Sequence, residues 1–233
     1  MISRRLFLAL TGATLVRPPI SFGKEDVPAL LDHILLGCSD LDTGIAFVLD
    51  NTGVRAALGG VHPGRGTRNA LLSLGERQYL EIIAPDPHQP GAADTLGLRR
   101  LTEPRLVGWA AHPGDLDAFA KKLGEAGVAF EGPTAGSRAR PDGHVLHWKT
   151  VKLADDRHGL LPFFIEWGAD STHPSTDAPA GCSLDYFEVM STNPDEVTQF
   201  IERMGIELPI ERSDKSRLHA VFTGPKGDLG VTS

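Results

Sequence analysis

Two cysteines, Cys38 and Cys182, are all the chain has. Two thiols cannot build a disulfide framework or a cysteine-based zinc site. They either pair with each other or sit as buried thiols, the usual habit of free cysteine. Positive charge is also short: 23 Lys and Arg face 30 Asp and Glu, a formal net charge of −7, and basic clusters are sparse. That excludes nucleic acid as an expected partner. Several chemistries are missing as motifs, since no G-x-S-x-G elbow, P-loop, H-E-x-x-H or nucleotide-binding glycine fingerprint occurs. What remains is ordinary for a soluble globular protein, with 41% hydrophobic and 23% charged residues over 233 positions. That length holds one large domain or two small ones with an ample core.

The first 23 residues are set aside from the fold. Ser3-Arg4-Arg5-Leu6-Phe7-Leu8 resembles the twin-arginine export motif, with Ala9 where a lysine is common. The apolar run Leu6–Val16, broken by Gly12, is too short to span a bilayer as a permanent helix. Ser21-Phe22-Gly23 offers small residues for cleavage. The expectation is a signal peptide over 1–23 and a periplasmic or secreted protein with no stable membrane span after processing. The alternative is a frayed N-terminal helix. Removing 1–23 deletes three arginines and no acid, so −7 becomes −10.

The segment that organises the remainder is Leu31–Ile83. It opens on Leu31-Asp32-His33-Ile34-Leu35-Leu36-Gly37 and closes on Tyr79-Leu80-Glu81-Ile82-Ile83. Both read as buried strands. A charge in such a strand is costly unless paired, hydrogen-bonded or metal-bound, which makes His33 and Glu81 stand out. The pattern then repeats. Apolar strands beginning at Leu31, Leu106 and Leu184 run into Asp40-Leu41-Asp42, Asp115-Leu116-Asp117 and Asn193-Pro194-Asp195, each able to cap a helix. Those helices end at Gly53-Val54, Gly127-Val128 and Gly205-Ile206. Further strands follow each helix, and Pro85–Pro104 and Gly168–Gly181 read as linkers. The expected fold is α+β, with βαβββ modules at 27–84, 105–168 and 181–233. Two paired modules would form a cup lined by strand residues, where a ligand would sit.

On these residues the chain resembles the vicinal-oxygen-chelate superfamily, the glyoxalase/bleomycin-resistance fold, and within it the bacterial glyoxalase-like domain family. His62-Pro63-Gly64-Arg65-Gly66-Thr67-Arg68-Asn69, Arg138–Gly143 and Leu161–Trp167 carry the narrower likeness, which continues through His173-Pro174 and Gly181-Cys182. The resemblance implies metal ligands on the first and fourth strands of two modules. These fall on His33 and Glu81 in the first module and, in the second, on Glu166 at the fourth-strand position, while Gly108 stands where His33 would and leaves that ligand absent. His62, His147 or water could complete the set. The third module carries Tyr186 and Gly230 at these positions and is expected to be architectural, packing on the other modules or on a second subunit.

The implied protein is a metal-dependent lyase, isomerase or dioxygenase that chelates two neighbouring oxygens of a small substrate. A divalent Zn, Ni, Mn, Co or Fe ion suits nitrogen and oxygen ligands. Glu81, Glu166 or His62 would move the proton; Asn69 and Trp148 would bind substrate, as would Arg138 and Arg140, which read as part of a polar loop before a strand. The alternatives are a metal-free sequestering protein with the same cup, or a structural protein whose modules pair for assembly, as in a homodimer. The glutamates could instead meet Arg138 or Arg140 in structural ion pairs.

Overall fold

The computed structural model of the chain describes residues 27–140 and 142–233, so the twin-arginine segment lies outside the described residues. The first unit begins with β1 (Leu31–Gly37), whose seven residues are all buried. It turns into α1 (Leu41–Thr52), where the Asp40 carboxylate accepts from Thr43 N at 2.9 Å, one of the N–H groups that a helix start leaves without a partner. Gly53, at φ 81°, stops that helix in the left-handed conformation that glycine adopts without strain. β2 (Ala57–His62), β3 (Thr67–Gly75) and β4 (Gln78–Pro85) follow. The second unit repeats this as β5 (Arg105–Ala111), α2 (Leu116–Glu125), β6 (Phe130–Ala139), β7 (Val145–Leu153) and β8 (Phe163–Trp167).

The eight strands form one sheet in the order β2-β3-β4-β1-β5-β8-β7-β6. β1 lies parallel to β4 and β5 parallel to β8, while β1 and β5 meet antiparallel and join the two units. The edge strands β2 and β6 come into contact, so the sheet curls nearly shut. Alternation along the strands divides the side chains. Ile34, Leu36, Leu80 and Ile82 go to the helix-covered face and join the main core. Their neighbours His33, Leu35, Glu81 and Ile83 go to the concave face. This is the α+β cup expected from the repeat.

The sequence reading passed over the edge strands. β2 contains Gly59-Gly60, and β6 contains Gly132, Pro133 and Gly136 with seven of its ten residues exposed. Neither has the apolar alternation of a central strand, which suits an edge. Arg138, expected in a polar loop, is therefore a strand residue.

After a one-turn helix α3 (Pro174–Asp177) come β9 (Ser183–Ser191), α4 (Pro194–Arg203), β10 (Ile210–Arg212), β11 (Arg217–Gly224) and β12 (Gly227–Thr232). Their order along the chain matches the first two units, but their pairing does not. The sheet runs β10-β9-β11-β12, with β9 inside it, parallel to β10 and antiparallel to β11. The shared cap and glycine signals specify strand–helix succession and carry no information about pairing. Phe187, Val189, Ala220 and Phe222 turn inward to the same core as α1 and β5, with Phe187 at 5.2 Å from Trp109. α1 thus lies between the two sheets, touching β3 and β4 on one side and β11 and β12 on the other. Cys38 and Cys182 are both buried free thiols.

Candidate functional site

The concave face carries a cluster of polar groups around β1, β3 and β4, while Thr150, Lys152 and Asp156 line it on the side of the second unit. Glu81, on β4, is 7% exposed. Its Oε1 accepts from Asn69 Nδ2 at 2.7 Å, and its Oε2 lies 3.4 Å from His33 Nε2. His62, at the end of β2, places Nε2 3.8 Å from Glu81 Oε1 and holds Nδ1 at 2.8 Å from Thr67 Oγ1 across the hairpin. Arg138 reaches in from β6 and donates from Nη1 to Asn69 Oδ1 at 3.1 Å. That contact fixes which end of the Asn69 amide faces Glu81, because only the NH2 end can donate to a carboxylate. Tyr79 stacks on the His33 ring at 4.5 Å, and Trp148 stands edge-on to His62 at 6.4 Å.

A second carboxylate lies directly behind the first histidine. The pairing of β1 with β5 shifts register between Leu31 and His33, a bulge that frees Asp32 from strict alternation. Asp32 is fully buried. It accepts from His33 Nδ1 at 2.7 Å, from Trp167 Nε1 at 3.2 Å and from His173 Nε2 at 3.2 Å. His173 comes from the segment read as a linker, and its Nδ1 is 2.8 Å from Ser175 Oγ. With His33 Nδ1 committed to Asp32, Nε2 is the nitrogen presented to Glu81, the arrangement that orients metal-binding histidines.

The electrostatics follow from this packing. Burial pushes the Asp32 carboxyl up, but hydrogen bonds from His173 and His33 outweigh it and hold the group well below its ordinary value. Burial also pushes Glu81 up, and His62, His33, Asn69 and Arg138 together bring it below the usual carboxylate range. Burial lowers the proton affinity of His62, against the pull of Glu81. Around these groups is a cavity of about 440 Å³, of ligand-holding size. Leu35, Ile83, Phe163, Ile165, Trp148 and Trp167 supply its apolar wall.

His33, Glu81, His62, Asn69, Arg138 and Trp148 therefore converge as expected on one cavity. Two expected residues do not. Phe163, Ile165 and Trp167 of β8 face the cup, so Glu166 faces the other way. There its Oε2 accepts from Leu116 N at 2.6 Å, in the first turn of α2. The expectation that it joins His33 and Glu81 is corrected by that strand parity, because a strand turns successive residues to opposite faces. The offset that carries Asp40 to Asp115 carries His33 to Gly108 and Leu35 to Ala110. Leu35 pairs with Glu81 and Ala110 with Phe163, so Phe163 is the true counterpart of Glu81. Arg140 is the other correction: it pairs with Asp177 and Asp142 outside the cup and does not line the cavity. The sequence reading missed Asp32, Tyr79, Trp167 and His173 as site residues. Two adjacent polar groups at the start of an otherwise apolar strand were the available signal for Asp32.

Among the described residues, no group of three or more His, Cys, Asp or Glu side chains is arranged to hold a metal ion. The His33–Glu81 pair nevertheless has suitable chemistry. Two donors each about 2.1 Å from a tetrahedral ion stand about 3.4 Å apart, which is the separation of His33 Nε2 and Glu81 Oε2. Gly108 and Phe163 leave the second unit with no donor at the matching positions.

A glyoxalase-like domain family model matches residues 31–205. No curated protein matches the chain. Among solved structures, a hypothetical protein from Staphylococcus aureus is similar, with a TM-score of 0.62 and 19% identity over 87% of this chain and 84% of that one. A methylmalonyl-CoA epimerase from Mycobacterium tuberculosis gives 0.44 and 20% identity over 61% of this chain and 89% of that one.

Proposed function

The chain belongs to the glyoxalase-like domain family, within the vicinal-oxygen-chelate superfamily, and from that premise we propose that its cup is the active site of a metal-assisted enzyme acting on a small substrate with two neighbouring oxygens. One observation carries the reading. A buried carboxylate, Glu81, faces the Nε2 atoms of two histidines whose orientations are set by other side chains. A divalent ion would be held by His33 and Glu81 and would act as a Lewis acid on a substrate oxygen. Asp32 holds the His33 ring so that Nε2 faces the cup. Asn69 occupies Glu81 Oε1 and leaves Oε2 toward His33. His62, whose proton affinity burial lowers and whose Nε2 stands beside the pair, is the group that takes and returns the proton at the adjoining carbon. Trp148 and Phe163 keep water from that carbon.

The loss of donors at Gly108 and Phe163 favours a second reading, metal-free sequestration of a small molecule. Titration calorimetry of the purified protein with Zn²⁺, Ni²⁺ and Mn²⁺ separates the two. The enzyme reading expects binding of at least one ion, and expects Glu81→Gln to weaken it about tenfold or more while the protein stays folded. No binding of any of these ions by the parent protein would leave sequestration as the function.

A further inference from the structure

Arg138 is 3% exposed and feels the charge of Glu81 without forming a direct ion pair with it. Its neighbour in sequence and charge, Arg140, pairs with two aspartates. Among the described residues no carboxylate lies within ion-pair distance of Arg138, and the one hydrogen bond recorded for its guanidinium goes to the neutral Asn69 amide. A guanidinium has five N–H donors in a planar fork, so most of this one is unspent. A buried charge is costly without compensation, and Glu81 is already shared between Asn69 and two imidazoles.

The chain is also shaped to hold this side chain. It lies across Gly59 and Gly60 of β2. A Cβ at Gly59 would come within 2.4 Å of Arg138 Nη1, and one at Gly60 within 3.1 Å of its Cγ. The two glycines leave the space in which a strand from the second unit reaches the polar end of the cup. Beside the guanidinium the cavity has a largely aromatic wall of Trp148, Ile165 and Trp167, while Arg65, Lys152 and Asp156 line it elsewhere.

We propose that Arg138 receives the carboxylate of the substrate, which is a small monocarboxylate with an oxygen on the adjacent carbon and an apolar, aromatic-sized remainder. This rests on the reading of the cup as a substrate site and names its substrate class. A carboxylate matches the planar fork in a two-point contact. It also makes the second of the neighbouring oxygens available to the His33–Glu81 pair. One negative charge balances Arg138 at this end of the cavity, beside Glu81.

The test uses 3-phenyllactate and its amide, equal in shape and different in charge. Binding is read by quenching of tryptophan fluorescence, since Trp148 and Trp167 line the cavity. The acid should bind the parent protein about tenfold or more tightly than the amide, as expected for a charge-assisted contact. Arg138→Met should abolish that preference, and Arg138→Lys should keep part of it. Gly59→Ala, which retains the charge but displaces the guanidinium together with the Asn69 amide it holds, should reduce it as well. Melting curves confirm that each variant is folded. The acid–amide comparison is run without added metal and the ion is read separately by calorimetry, so the metal reading and the carboxylate reading fail separately. Equal binding of acid and amide by the parent, no quenching by either probe, or an undiminished preference in folded Arg138→Met would overturn the proposal.

Discussion

Asp32→Asn is the perturbation that most directly tests how the site is held. The substitution keeps the size of the side chain, removes its charge and turns one of two acceptor oxygens into a donor. Three donors converge on this carboxylate, two of them imidazole nitrogens. Breaking a fully buried charged pair from one side costs about 3–5 kcal/mol. Because one oxygen survives, the lower end applies, about 3 kcal/mol. In a protein of this size each kcal/mol moves the melting temperature by about 2–4 °C, so the expected fall is on the order of 10 °C. The same substitution releases His33 Nδ1 and with it the orientation of Nε2. Removing such an outer partner typically costs 10–100-fold in metal affinity. Thermal melts and calorimetric titration with Zn²⁺ measure the two effects on the same sample. His173→Ala, which removes one donor and leaves the charge, should cost about 1–2 kcal/mol and less affinity. If Asp32→Asn melted within about 1 °C of the parent and bound the ion equally well, the carboxylate would not be organising the site.

Two further outcomes follow from neighbouring parts of the chain. Glu166→Ala should cost about 1 kcal/mol, about 2–4 °C in melting temperature, through the lost acceptor at the start of α2; loss of metal binding with no change in stability would restore Glu166 to the cup. Burial lowers the proton affinity of His62 and of the half-buried His112, while an unfolded histidine titrates near 6.5. Below about pH 6.5 the unfolded chain binds protons that the folded chain refuses, so this contribution makes stability fall as the medium acidifies. Urea midpoints taken from pH 8 to 5.5 should decline in that direction, His112→Gln should shallow the slope, and a rising midpoint would contradict the assignment.

How much of this was legible in the sequence depended on how deeply each strand is buried. β1 and β4 are apolar runs in the sheet centre, so a lone histidine and a lone glutamate stood out against them. Those two residues do meet, with Asn69 and His62 beside them. β6 is an exposed edge strand containing glycine and proline, so Arg138 looked like a loop residue. The face taken by Glu166 was misjudged because helix caps align the first strands of the units, whereas the fourth strand is placed only by its pairing, Ala110 with Phe163. The bulge beside Asp32 left no mark that strand alternation could reveal. In the third unit, the order of elements could be read and the neighbour of each strand could not.

Gly108 and Phe163 also have a stereochemical consequence. The two units share a strand order, but at the positions of His33 and Glu81 the second has a bare backbone and a benzene ring. Under the function proposed above, a planar carbon centre beside Glu81 would meet imidazole and carboxylate from the first unit and Phe163 from the second. Proton exchange through His62 would then proceed on one face of that carbon. A cup of approximate twofold form thus offers two different surfaces to what it holds.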